Sequence, residues 1–199
     1  MRKQKVLFLC TQNSARNQMA EGFLRHHAGE NFEVMSAGCE VGEEVHPYAV
    51  EVMEEVGIDI SEQYPKGLKT YMGKMGFNYS IIVCARAEKD CPKTFPGVGT
   101  RLVWGFEDPR GEDVPEDKRL EKFRQIRDEI EFKIKNWLEH PEAELARLRK
   151  ERERERRERL EATRRAQELG IELGMVPEPR RQAHPRAPSE VQVASGSIV

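Results

Sequence analysis

Val6-Leu7-Phe8-Leu9-Cys10 is an unbroken apolar run. Five small or polar residues, Thr11 to Ala15, come next, and a helical pattern then opens at Arg16. A short apolar run bounded in this way reads as a strand, and the residues after it read as a loop and a helix start. The alternation continues down the chain. Candidate strands are Lys5–Cys10, Phe32–Ala37, Tyr79–Cys84 and Arg101–Trp104, and candidate helices are Arg16–Ala28, Pro47–Val56, Gly67–Met75 and Asp117–Leu138. Strands alternating with helices indicate an α/β fold, with a four-stranded parallel sheet flanked by helices on both faces. Right-handed crossovers set the strand C-termini on one edge, where open α/β sheets bind ligands. Cys10 and Cys84 both end candidate strands, so that edge is expected to carry both.

The segment after the first strand has a chemical reading of its own. Thr11, Gln12, Asn13, Ser14 and Ala15 are compact enough for backbone N–H groups to converge on one point. The helix opening at Arg16 directs its free N–H groups and the positive end of its dipole to the same place. Arg16 adds a planar fork that matches two oxygens of a tetrahedral oxyanion. A thiol ordinarily titrates near 8.5, and a helix N-terminus with a cation brings it to about 7 or below. Cys10 is thus expected to be an activated nucleophile. The competing reading is a buried cysteine at a strand end, with Arg16 on a solvated helix face.

Length and charge set bounds. The chain has 199 residues, a formal net charge of −2 and four cysteines. Composition changes at His140-Pro141, which divides the chain into a catalytic domain (1–140), a charged helical extension (141–174) and a tail rich in Pro, Arg, Ala and Ser (175–199) that reads as disordered. Pairs such as Glu155–Arg159 and Glu153–Arg157 fall at i,i+4 in the extension. Its leucines keep no steady heptad, so a solvated helix is expected and not a coiled coil. Mixed charge argues against nucleic acid as a partner. No apolar segment is long enough for a membrane span or a cleavable leader, so a soluble cytoplasmic protein is expected. In that compartment cysteines are catalytic or redox-active more often than stapled. No Cys-x-x-Cys pair or clustered histidine suggests a metal, and no cofactor is expected.

Two later cysteines extend the chemistry. Cys84 ends Tyr79-Ser80-Ile81-Ile82-Val83, and Cys91 comes after a polar, helix-tolerant stretch. If that stretch is helical, the two stand about 10 Å apart along its axis, beyond the reach of a disulfide unless the helix unwinds. They read as a switchable redox couple, or else as two unrelated thiols. Cys39, after Ser36-Ala37-Gly38, has no obvious partner and reads as structural. Asp108, in Trp104-Gly105-Phe106-Glu107-Asp108-Pro109, is a candidate general acid whose carboxyl partial desolvation would raise. Glu107 is the rival carboxylate.

Taken together, CTQNSARNQMAEG, MSAG, DIS at Asp59–Ser61, VCARAEKDCP, and WGFEDP followed by FRQIRDEI resemble the thioredoxin-coupled arsenate reductases built on the low-molecular-weight tyrosine phosphatase fold. The likeness runs from Lys5 to Leu138. It implies that Cys10 attacks arsenate held in the loop while Asp108 assists loss of water. It further implies that Cys84 attacks Cys10 as arsenite leaves, and that Cys91 then forms a Cys84–Cys91 disulfide for thioredoxin, or a related thiol reductant, to reduce. Departures from the family's pattern are Asn17 where Ser is common, Gln12 where Gly is frequent, and Ala15 where some members carry Cys. Some members bind potassium through residues matching Asn13, Glu21, Ser36 and an Asp. Lys66 stands at the Asp position, and its ammonium is expected to take the cation's place. The alternative is a phosphatase acting through Cys10, Arg16 and Asp108 alone, for which Cys84 and Cys91 have no use.

Overall fold

The computed structural model describes residues 2–91, 97–111 and 114–168. Its elements are β1 (Gln4–Cys10), α1 (Arg16–Ala28), β2 (Phe32–Gly38), α2 (Pro47–Glu54), β3 (Phe77–Ile82), α3 (Ala85–Asp90), β4 (Val98–Val103), α4 (Glu116–Glu139) and α5 (Pro141–Glu168). The strands form one parallel sheet in the order β2-β1-β3-β4. β1 lies inside it, and Val6, Leu7, Phe8 and Leu9 are at most 1% exposed. Successive strand residues point to opposite faces, so burial of all four means that both faces are covered.

Trp137 of α4 packs its ring against Phe32, Tyr79 and Trp104, and Trp104 in turn meets Phe8. The stripe expected on this helix is the one buried: Phe123, Ile126, Ile130, Ile134 and Trp137 are all within the core. Arg127, on the same helix, is buried too, and donates to Val52 O at 2.9 Å and to Glu55 Oε2 at 2.8 Å.

The helix expected over Gly67–Met75 does not form. A single 3-10 turn, Leu68–Thr70, stands in its place. Gly67 is extended and bridges to Gly38, and Gly73 takes a φ of +73°, so glycines break the helical path at both ends. The chain divides into two units, Met1–Arg147 and Leu148–Val199. Among the described residues of the second, the i,i+4 ion pairs are Arg154–Glu158 and Arg157–Glu161, with Arg first, and not those expected from Glu153 and Glu155. The tail from 175 onward lies outside the described residues.

Candidate active site

The sheet register assembles the site. Cys10, last in β1, is paired with Gly38, last in β2. Cys84 comes just after β3, whose Ile82 is paired with Leu9. Three strand ends therefore converge on the loop from Thr11 to Ala15.

The segment after β2 holds that loop open. The N–H groups of Cys39, Glu40, Gly42 and His46 donate to the carbonyls of Cys10, Thr11, Gln12 and Ser14, at 3.2, 2.9, 2.8 and 2.8 Å. A trans peptide points its N–H opposite to its C=O. With those carbonyls drawn outward, the N–H groups of Thr11, Gln12, Asn13 and Ala15 turn inward, which makes an anion-binding concavity. Asn13 sits at the bend with a φ of +58°, a left-handed conformation that Asn tolerates. Its N–H donates to Cys10 Sγ at 3.1 Å. Its side-chain Oδ1 accepts from Gln18 Nε2 at 2.9 Å and from the Lys66 N–H at 2.7 Å.

Arg16 is 6% exposed. Its Nη1 donates to Phe106 O at 2.9 Å and its Nη2 to Asp108 Oδ2 at 2.6 Å. A second arginine, which nothing in the local sequence singled out, stands beside it. Arg110 donates from Nη1 to Gln12 Oε1 at 2.8 Å and to Ser14 Oγ at 2.9 Å, and from Nη2 to Asp108 Oδ2 at 3.1 Å. Gln12 thus serves as a tether between the loop and the segment after β4. A cavity of about 520 Å³ opens here, lined by Thr11, Gln12, Arg16, Cys84, Phe106, Asp108 and Arg110 among others.

The electrostatics depart from the expectation for both reacting groups. Burial pushes the Cys10 thiol up to about 11, against the lowering by the Asn13 and Gln12 N–H groups and the Arg16 charge, and the neighbouring Cys84 adds to the rise. Arg16 is ion-paired with Asp108, so less of its field is free to act on sulfur. For Asp108, burial acts to raise the carboxyl, but hydrogen bonding to Arg110 and the charges of Arg16 and Arg110 outweigh it and hold the group below the usual carboxylate range. Glu107, the rival carboxylate, points to solvent and pairs with Lys122 at 2.6 Å.

All four cysteines lie at this edge. Cys84 is 1% exposed and caps α3, its Sγ accepting from the Ala87 N–H at 3.3 Å. The same Sγ lies 3.6 Å from Thr11 Oγ1, so it faces the loop. Cys91 closes the other end of α3. It is disulfide-bonded to Cys39, with Cα atoms 5.7 Å apart, while Cys10 and Cys84 are free thiols. Cys39 is therefore not the partnerless structural residue the sequence suggested, and Cys91 is joined to it and not to Cys84. The two cysteines are 52 residues apart, and only the fold brings them together.

On the far side of the loop, Ser36 Oγ donates to Glu21, whose Oε2 is 3.5 Å from Lys66 Nζ. Lys66 also donates to Tyr64 O at 3.0 Å. Asn13, Glu21, Ser36 and Lys66 are thus brought together. Asn17 gives its amide to Ala37 O at 3.1 Å.

The pattern of the low molecular weight phosphotyrosine protein phosphatases matches residues 5–154. An arsenate reductase of Halalkalibacterium halodurans is 39% identical over 139 residues, 70% of this chain and 98% of that one. A solved arsenate reductase in a phosphate-binding state superposes with a TM-score of 0.54 at 33% identity, over 67% of this chain and 95% of that one. A thioredoxin-dependent arsenate reductase of Corynebacterium glutamicum superposes with a TM-score of 0.53 at 30% identity, over 69% of this chain and 61% of that one.

Proposed function

The chain belongs to the low molecular weight phosphotyrosine protein phosphatase family, and we propose that it reduces arsenate to arsenite through its thiols, with a thioredoxin-like dithiol protein as the electron donor. The observation that carries this reading is the buried Cys84 thiol, 3.6 Å from Thr11 Oγ1 in the cavity that Arg16 and Asp108 also line. Hydrolysis of a phosphoester has no use for a second thiol there.

Arsenate enters the ring of inward N–H groups and takes the fork of Arg16 from Asp108. Cys10 is a neutral thiol at neutral pH because burial raises it, and a bound arsenate dianion is the base at hand for its proton. Cys10 Sγ then bonds to arsenic and one oxygen leaves as water. Asp108, released from Arg16 but still bonded to Arg110, rises toward the usual carboxylate range and can pass a proton taken up from solvent to that oxygen. Cys84 next attacks Cys10 Sγ. The As–S electron pair stays on arsenic, arsenite departs, and Cys10 and Cys84 are joined. Cys91, as a thiol, attacks Cys84 Sγ and releases Cys10. Cys84 and Cys91 cap opposite ends of α3, so this step unwinds the helix, whose intact length holds them about 10 Å apart.

Fully reduced protein mixed with one equivalent of arsenate and no reductant is expected to release about one arsenite per chain and form one disulfide. Arsenite is read by chromatography with mass detection, and the disulfide by peptide mapping. Unchanged arsenate, alongside brisk hydrolysis of p-nitrophenyl phosphate that survives Cys84→Ser, would reverse the assignment in favour of a phosphatase.

The Lys66 ammonium, between Glu21 and the Tyr64 carbonyl, takes the place of a bound cation beside the loop. Exchanging sodium for potassium at constant ionic strength is then expected to leave kcat/KM unchanged. A several-fold gain specific to potassium would overturn this part of the reading.

A further inference from the structure

We infer that Cys39 is a fourth relay thiol, which takes the oxidised state over from Cys84–Cys91 and lets one fully reduced chain reduce two arsenates before any external reductant acts. The inference rests on the arsenate-reductase reading. What it adds comes from the observed pairing: Cys39 bonded to Cys91, with Cys10 and Cys84 both left as thiols.

The fold makes this pairing part of the site. Cys39 comes directly after β2, and its N–H donates to the Cys10 carbonyl at 3.2 Å. That bond ties it to the nucleophile's own peptide. The 5.7 Å between the Cα atoms of Cys39 and Cys91 falls in the range that disulfides occupy. Exposure differs along the series. Cys10, Cys84 and Cys91 are 5%, 1% and 2% exposed, while Cys39 is half-buried. Cys39 is thus the residue of the disulfide that solvent reaches more, and its sulfur is the one an external dithiol is expected to attack.

The added step is one thiol–disulfide exchange. The Cys39 thiolate attacks Cys91 Sγ of the Cys84–Cys91 disulfide. The Cys39–Cys91 bond forms, the Cys84–Cys91 bond breaks, and Cys84 leaves as a thiolate that takes up the proton Cys39 gave. No electrons enter or leave the protein. The inner pair, Cys10 and Cys84, is again reduced, and it lies in the loop where the next arsenate binds. A second arsenate then consumes that pair and ends as Cys10–Cys84, because Cys91 is no longer a thiol. Over both turnovers, four thiols become two disulfides, and each of two arsenates takes two electrons and two protons, losing one oxygen as water. One external dithiol reduces the outer disulfide by attacking it at Cys39, which releases Cys91 as the leaving thiolate; Cys91 then takes Cys84 from Cys10, Cys39 takes Cys91 from Cys84, and a second dithiol reduces the outer disulfide again to complete the restoration.

The test is a count. Anaerobically reduced, desalted protein is mixed with excess arsenate and no reductant, and arsenite and remaining free thiols are measured at the plateau. About two arsenites per chain and no free thiol are expected for the native protein; Cys39→Ser should halve the yield to about one arsenite and keep one free thiol. The equivalent that remains in the variant reports that its inner pair still folds and reacts. A native plateau of about one, with Cys84–Cys91 as the mapped disulfide and Cys39 still alkylatable, overturns the inference and leaves the reductase reading standing. A plateau of zero in both proteins removes the reductase reading itself.

Discussion

Alanine at Gly38 is expected to cost about 3 kcal/mol of stability, roughly 6–12 °C in Tm, and to abolish reaction at Cys10. An added Cβ would stand 2.6 Å from the Thr11 carbonyl oxygen and 3.0 Å from the Asn13 nitrogen, and would also meet the Glu40 carbonyl. All three are backbone atoms: the Thr11 carbonyl and the Glu40 N–H are bonded to each other in the ring between the loop and the segment after β2, and the Asn13 N–H is held on Cys10 Sγ. A flexible side chain could swing aside, but these cannot without breaking that ring. Because the inward N–H groups owe their direction to those same bonds, activity should fall further than stability alone predicts. Calorimetry together with arsenite release under single-turnover conditions checks both halves. A variant that keeps native Tm and native yield would mean that the loop is not built as described.

The second large effect is confined to chemistry. Arg16→Lys keeps the positive charge but loses the planar fork that spans Phe106 O and Asp108 Oδ2. Removing one well-placed donor from an oxyanion site costs about 10²–10³ in rate, and kcat/KM for arsenate should drop by about that much. Tm should move by no more than a few degrees, since the lysine can still reach Asp108. A drop of less than tenfold would mean that the loop's own N–H groups carry nearly all the binding.

How legible each of these features is in the sequence depends on how local its cause is. β1, α1 and the stripe on α4 are set by runs and periods of a few residues, and they lie where those patterns place them. Cys10 and Arg16 are readable for the same reason, each marking an element boundary. The Cys39–Cys91 bond is not, because it depends on β2 and α3 ending at one edge, 52 residues apart. Arg110 is hidden likewise. Its importance comes from Gln12 and Ser14, which it reaches from 98 and 96 residues further along the chain. The direction of the Cys10 shift runs against the sequence-based expectation for a physical reason. Nearby N–H groups and charges can be read from sequence, whereas the burial that outweighs them is a property of the assembled sheet. Glycines at 67 and 73 show the converse error: helix-tolerant residues lie between them, but the backbone at either end has other obligations.

The six residues of α3 have a consequence beyond spacing. A helix of that length cannot sustain itself in water and depends on what fastens its ends. Here both fastenings are sulfur: Cys84 Sγ receives the Ala87 N–H, and Cys91 is bonded across to Cys39. Forming or breaking a bond at either sulfur therefore also changes what holds the helix together. Under the proposed relay, oxidation state and local order become one variable in this segment, so each electron pair handed through it would change the helix that a reductant meets.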